Sequence, residues 1–209
     1  MAELTLTAFL TLDGVMQAPG GPNEDVDGGF PHGGWVFPHV DADMGNIMDD
    51  IFSRAEAFLL GRKTYDIFAA HWPHVSPEGN PVAEKLNTLP KYVATRSRTK
   101  LDWHGSSAIR DAASEIKALK QKHDGEIQVH GSINLAQTLL AHDLVDEYRL
   151  LIFPVTLGQG KRLFDGGTLP AAMKLHTSSV TGAGVVYCGY RRDGALKTGS
   201  FELQQELCG

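Results

Sequence analysis

Ala57-Phe58-Leu59-Leu60-Gly61-Arg62-Lys63-Thr64 is the stretch that decides the fold. An unbroken apolar run ended by glycine is the pattern of a short strand buried on both faces, as in a parallel sheet covered by helices on either side. A helix is predicted to follow, from Lys63 to about Ala70, stopped by Pro73. The same sentence recurs downstream, where Ile127-Gln128-Val129-His130 reads as a strand, Gly131-Ser132 as a turn, and Asn134 to His142 as a helix. Lys91-Tyr92-Val93-Ala94-Thr95 is a third strand of this kind, running into Arg96-Ser97-Arg98. Strand and helix in alternation predict βαβ units and a parallel sheet.

Toward the N-terminus, Leu4, Leu6 and Ala8 alternate with Thr5, Thr7 and Phe9, which predicts a first strand ending near Leu10. From Ala18 to His39 the chain is rich in Gly, Pro and Asp, a loop long enough to be a functional cover or disordered. Met44, Ile47, Met48, Ile51 and Ala55 then recur at helical spacing, with Asp41 or Asp43 available as N-cap. Toward the C-terminus, Ala112, Ile116 and Leu119 mark another helix, and Tyr148 to Val155 a long apolar strand. Leu175 to Val180 and Val185 to Arg191, separated by Thr181-Gly182-Ala183-Gly184, predict an antiparallel hairpin on the sheet's edge. No linker divides the chain, so residues 1 to 192 are expected to form one domain followed by a tail at 193 to 209.

Composition agrees with this plan and narrows the partners. The 209 residues are 42% hydrophobic, enough to bury a core, and 25 Asp plus Glu outweigh 19 Lys plus Arg for a net charge of -6. That balance argues against a nucleic-acid partner. No apolar run reaches the roughly 18 residues of a membrane span, and the start of the chain has no signal-peptide pattern. A cytoplasmic protein without membrane association is expected. Cys188 and Cys208 offer no disulfide framework.

Against the acidic background, Arg62, Lys63, Arg96 and Arg98 gather at strand-to-helix junctions. Glycine there lets backbone amides approach a ligand, and a helix N-terminus favours an anion. Each junction taken singly could equally be an ordinary turn. Three opening at the same sheet edge, where α/β sheets bind ligands, point to an anionic cofactor. Gly158-Gln159-Gly160-Lys161-Arg162-Leu163 lacks the third glycine of the dinucleotide fingerprint and has no helix pattern after it. His71 and His74 have no completing ligands, so no metal is expected. His130 ends a buried strand and either faces a ligand or is a hydrogen-bonded core residue.

With these residues assembled, the chain resembles the dihydrofolate reductase superfold, and more closely the riboflavin-biosynthesis reductase domain, the RibD C-terminal domain. The resemblance rests on Thr11-Leu12-Asp13-Gly14-Val15, Leu59 to Tyr65, His130-Gly131-Ser132, and Pro154 to Phe164 through Gly158-Gln159-Gly160. It implies an α/β fold with a mixed, mostly parallel sheet, helices on both faces and the terminal hairpin. It also implies an NADPH-dependent oxidoreductase that reduces a small heterocycle, pterin-like or ribosylaminopyrimidine-like, and a homodimer. By the resemblance, Ala8 and Phe9 border the nicotinamide, and Gly61, Arg62, Lys63 and Thr64 meet the phosphates. Thr95, Arg96 and Ser97 read the 2′-phosphate, while Gly131, Ser132, Ile133, Asn134 and Leu135 lie under the pyrophosphate. Asp13, Trp35, Phe37, His130, Leu157 and Gly158 are expected on the substrate side. Trp35 and Phe37 could cap a planar ring or staple their loop.

The acidic residue that anchors the pterin in dihydrofolate reductases falls on Gly45 here. Asp49, on the flank of the apolar helical face, is the expected catalytic carboxylate unless it is merely a solvated charge. Lys161 and Arg162 are available as a second cationic pocket. Without a substrate carboxylate, the alternative is a non-catalytic NADP(H)-binding or sensing module on the same fold.

Overall fold

The computed structural model describes residues 1–97, 100–166 and 168–201. Arg98, Cys208 and positions 202–209 of the predicted tail lie outside the described residues. The strands are β1 (Glu3–Thr11), β2 (Ala55–Gly61), β3 (Lys91–Ala94), β4 (Ser106–Ile109), β5 (Glu126–His130), β6 (Glu147–Phe153), β7 (Met173–Val180) and β8 (Val186–Arg192). The helices are α1 (Ala42–Ser53), α2 (Arg62–His71), α3 (Pro81–Thr88), α4 (Ala112–Lys122) and α5 (Ile133–Ala141).

The strands form one sheet in the order β4-β3-β2-β5-β1-β6-β8-β7. Pairing is parallel from β4 through β6 and antiparallel in β6/β8 and β8/β7. Six strands therefore point their carboxyl ends at the same edge, and the terminal hairpin closes the far side as the sequence predicts. Among the described residues no helix is long and apolar enough to cross a membrane.

Alternation along β1 sorts its residues between two layers. Leu4, Leu6 and Ala8 join Ile127 and Val129 beneath Ile116, Leu119, Leu135 and Leu139 of α4 and α5. On the opposite face, Met44 and Ile51 of α1 pack on Leu151 and Phe153. Phe52 shares the third cluster with Phe58, Leu60, Leu86 and Trp103.

Part of that second face is ionic. The Arg149 side chain is fully buried, with a fork of bonds at 2.7 and 2.8 Å to Glu126 and a third at 2.6 Å to Glu147. Arg191 extends the network, reaching Glu147 and Glu3. The paired carboxylates hold the Arg149 pKa above its usual value against the opposing effect of burial.

Three local expectations change. Helix α1 stops at Ser53, and Ala55 opens β2 instead of continuing the helix. Helix α3, with Asn80 as N-cap and proline at its start, was not foreseen. Neither was β4, whose Ser106-Ser107-Ala108-Ile109 is too polar to show an apolar pattern.

Candidate cofactor and substrate cleft

The carboxyl ends of β1, β2, β3 and β5 open onto one cleft of about 1260 Å³. That exceeds the ~300–1,000 Å³ of ordinary small-molecule sites. Its rim is built from three junctions: Gly61 to Thr64, Ala94 to Ser97, and His130 to Leu135.

Three helices, α2, α4 and α5, begin at this cleft, and their termini differ. Asp41, Asn80 and Asp111 cap α1, α3 and α4, each side chain accepting from a first-turn amide. The N-cap residues of α2 and α5, Gly61 and Ser132, make no such side-chain bond. Two of the three helices that begin at the cleft, α2 and α5, thus leave first-turn amides without a capping side chain, and a helix end in that state favours an anion.

Backbone packing keeps the two termini together. A Cβ placed on Gly61 would lie 1.6 Å from Ser132 Oγ, so only glycine permits this approach. Gly131 and Ser132 both have positive φ, 69° and 68°. The left-handed region is unfavourable for serine, and non-glycine residues held there concentrate at ligand sites.

The cations around the rim are in different states. Arg62 pairs with Asp66 one turn along α2 at 3.0 Å. Lys63 is held by Asp25 and Asp27, and Lys161 bonds the same two carboxylates at 2.7 and 2.8 Å. Those bonds, Lys161 and Lys63 first, hold the Asp27 carboxyl well below its usual range, and Asp27 in turn raises the Lys63 pKa. Gln17 adds amide bonds to the Asp25 and Asp27 carbonyls, both at 3.0 Å. The long loop after β1 is therefore clasped to α2 across one end of the cleft. Arg96 is exposed, with no carboxylate partner among the described residues. Arg110 braces its junction by donating to the Thr95 carbonyl at 2.9 Å.

The inner wall is apolar and aromatic, with Phe9 of β1 and Met48 and Phe52 of α1, interrupted by Thr7 and His130. His130 stacks on Phe52 with ring centroids 4.3 Å apart, and burial lowers its pKa to about 3. The ring is neutral at physiological pH.

The structure thus gathers every residue expected at the cofactor except Ala8, whose side chain lies in the core layer against α4 and α5. The substrate side is redistributed. Asp49 is exposed and does not line the cleft, because α1 presents Met48 and Phe52 to it instead. Phe37 is 81% exposed and also lies outside it. Trp35 is a staple, buried edge-on against Phe153 and donating to the Gln17 carbonyl at 2.8 Å. Asp13 latches the loop after β6, accepting from the Leu157 amide at 3.2 Å and the Gly158 amide at 2.8 Å. The Thr11 hydroxyl and these amides lower its carboxyl pKa to about 2. Asp13, Leu157 and Gly158 therefore support the cleft's margin without lining it. Arg162 is turned to Asp13 at 3.5 Å, leaving Lys161 as the member of that pair in the cleft.

Thr7, Met48, Phe52 and Glu24 line the cleft without having been expected at the site. The period-two pattern of β1 places Thr7 on the same face as Phe9, a signal sufficient to find it. Glu24 sits in the long loop and accepts from the Gly20 and Gly21 amides, and burial raises its carboxyl pKa. Nothing in the composition of that loop marks it.

Comparison with known proteins bears on the family and the fold. A family model described as the RibD C-terminal domain matches residues 2–187. The uncharacterized protein YyaP of Bacillus subtilis (strain 168) is 30% identical over 194 residues, covering 92% of this chain and 96% of that protein. Among solved structures, a pyrimidine reductase-like protein from Corynebacterium diphtheriae aligns with TM-score 0.64 at 13% identity, covering 91% of this chain and 92% of the other. Dihydrofolate reductase from Enterococcus faecalis, complexed with NADP(H), aligns with TM-score 0.58 at 15% identity, covering 91% and 96%. The fold is dihydrofolate reductase-like.

Proposed function

Because the chain belongs to the RibD C-terminal domain family, we propose that it is an NADPH-dependent reductase acting on a small planar heterocycle, pterin-like or aminopyrimidine-like. Family and fold support an oxidoreductase. The observation that carries the cofactor is the pair of helices, α2 and α5, that begin at the cleft without capping side chains, whereas α4, which also begins there, is capped by Asp111.

The residues present fit such a cofactor. The close approach of Gly61 to Ser132 and the positive φ at Gly131 and Ser132 turn bare backbone toward the rim, where a pyrophosphate would accept from amides. Arg96 supplies a cation for the 2′-phosphate, and Thr95 and Ser97 lie beside it. Phe9, Met48 and Phe52 would hold flat rings and exclude water. When bound, NADPH supplies a hydride to the substrate ring. The protein's part is to orient the rings against each other. With Asp49 outside the cleft, Glu24 is the carboxyl this reading assigns to hold a proton, since it lines the cleft and burial favours its neutral form.

The same reading includes a homodimer, supported by the exposed edge strand β7 with Met173, Leu175 and Val180 at its surface. Light scattering decides it, and a monomer at working concentration contradicts it.

The second reading, a non-catalytic NADP(H)-binding module, is favoured by one observation: α1 brings no carboxylate to the cleft. Fluorescence titration with NADPH, followed by oxidation assays with dihydrofolate and aminopyrimidinones, separates the two. Binding with turnover supports the reductase, and binding without turnover supports the module. No binding contradicts both.

A further inference from the structure

Two polar atoms on the inner wall of the cleft are left over when the hydrogen bonds of the fold have been assigned. Thr7 on β1 and His130 on β5 are register partners in a parallel pair, and both line the cleft. They are 3% and 7% exposed. Thr7 Oγ1 is buried without a hydrogen-bond partner. Such an orphan costs stability, so native structures keep few of them and each calls for a reason. Thr5 and Ser106 also carry orphaned hydroxyls, but neither lines the cleft. Thr7 is the one of the three that a ligand could satisfy.

The state of His130 follows from its neighbours. Gln128 Nε2 donates to the Ile51 carbonyl at 2.6 Å and to the Glu126 carboxylate at 2.8 Å, which fixes the amide's orientation. Its Oε1 therefore faces His130 Nε2 at 3.0 Å and can only accept, so Nε2 carries the ring proton. Nδ1 is then a bare lone pair, and no described residue bonds to it. The ring is kept in this pose by stacking on Phe52. Burial keeps it neutral, so the lone pair persists through the physiological range.

A hydroxyl able to donate thus stands beside an obligate acceptor, on strands about 4.8 Å apart, among Phe9, Met48 and Phe52. A carboxylate would be repelled by the Nδ1 lone pair, and among the described residues the carboxylates that line the cleft, Glu24, Asp25 and Asp111, are bonded to backbone amides or lysines. The complement is a neutral carbonyl next to an N–H on a flat ring. We propose that Thr7 and His130 form a recognition pair for an amide or lactam edge, Thr7 Oγ1 donating to the carbonyl oxygen and His130 Nδ1 accepting from the adjacent N–H. The proposal rests on reading the cleft as a reductase site, where two molecules carry this edge: the carboxamide of the cofactor's nicotinamide and the lactam of a pterin or pyrimidinone substrate.

Free nicotinamide and free isocytosine are the probes, titrated by ligand-observed NMR against the full chain, with NADPH titrated separately. Thr7→Val keeps the branched shape and removes the hydroxyl, and Thr7→Ser restores it. One probe is expected to bind Thr7→Val about tenfold more weakly, the size of one buried hydrogen bond, with most of the loss recovered in Thr7→Ser. Loss confined to nicotinamide assigns the pair to the cofactor, and loss confined to isocytosine assigns it to the substrate. On the wild type, 3-acetylpyridine and N3-methylisocytosine lack the N–H, so the one matching the responsive probe is expected to bind weakly by a similar factor. This arm needs no variant to fold. Unchanged affinity for both probes in Thr7→Val, equal binding of each probe and its N–H-free counterpart, or no binding of either probe at millimolar concentration overturns the proposal. NADPH binding is scored independently, so failure of the pair and failure of the reductase reading give different results.

Discussion

Arg149 and His130 show at the scale of single residues how much of the α1-facing sheet surface is committed to polar contacts. Arg149 is the cation that a buried carboxylate, Glu147, and a partly buried one, Glu126, share. Its replacement leaves Glu126 and Glu147 facing each other without it, and Arg149→Leu is expected to cost roughly 3–5 kcal/mol, measured by urea unfolding. A loss below about 1 kcal/mol would show that Arg191 compensates. His130 gives a pH dependence. Its folded pKa of about 3 lies below the ordinary 6.5, so on acidification the unfolded chain takes up the proton first. The contribution to stability is complete above pH 6.5 and is lost as pH falls toward 3. Between pH 7.5 and pH 5 the wild type is expected to lose roughly 1–2 kcal/mol that His130→Gln does not lose. Equal losses in the two proteins would contradict a neutral, buried His130. Sequence alone left this residue between ligand and core. The structure makes it a buried residue that also lines the cleft, because the strand end that buries the ring borders it.

Elements were legible in the sequence where one face of a helix or both faces of a strand were apolar. Strands β2 and β5 and helices α1 and α5 were found for that reason. Helix α3 has few apolar positions in a short span, and β4 sits at the sheet's outer edge with little to bury, so neither left a periodic trace. The angle of α1 about its axis also escaped. Periodicity placed Asp49 on the flank of the apolar face, but it cannot say which flank the cleft occupies, and the structure puts Met48 and Phe52 there. The composition of the long loop after β1 left it between a functional cover and a disordered segment. What fastens it, the cluster of Lys63 and Lys161 with Asp25 and Asp27, joins positions too distant in sequence to be read together. Replacing both carboxylates, Asp25→Asn with Asp27→Asn, is expected to speed amide exchange throughout residues 18–39. Because these pairs are at least partly exposed, the loss of global stability should be small, about 1 kcal/mol or less per pair. Unchanged exchange would mean that Gln17 and Trp35 hold the loop by themselves.

Across the whole molecule, one arrangement links fold to function. Six parallel strands end at one edge, two of the helices that begin there are without capping side chains, and an otherwise acidic chain places Arg96 on the rim. The junctions that carry this were visible in the sequence because glycine and basic residues follow apolar runs. The inner wall of the cleft was not, because it is assembled from β1, α1 and β5, which meet only in three dimensions. The central claim is that this edge is an NADP(H) cradle. Equilibrium titration of the wild type and Arg96→Ala with NADPH and NADH tests it most directly. Saturable NADPH binding is expected, about tenfold or more tighter than NADH, with the preference largely lost in Arg96→Ala. Absence of saturable NADPH binding to the wild type would contradict the account.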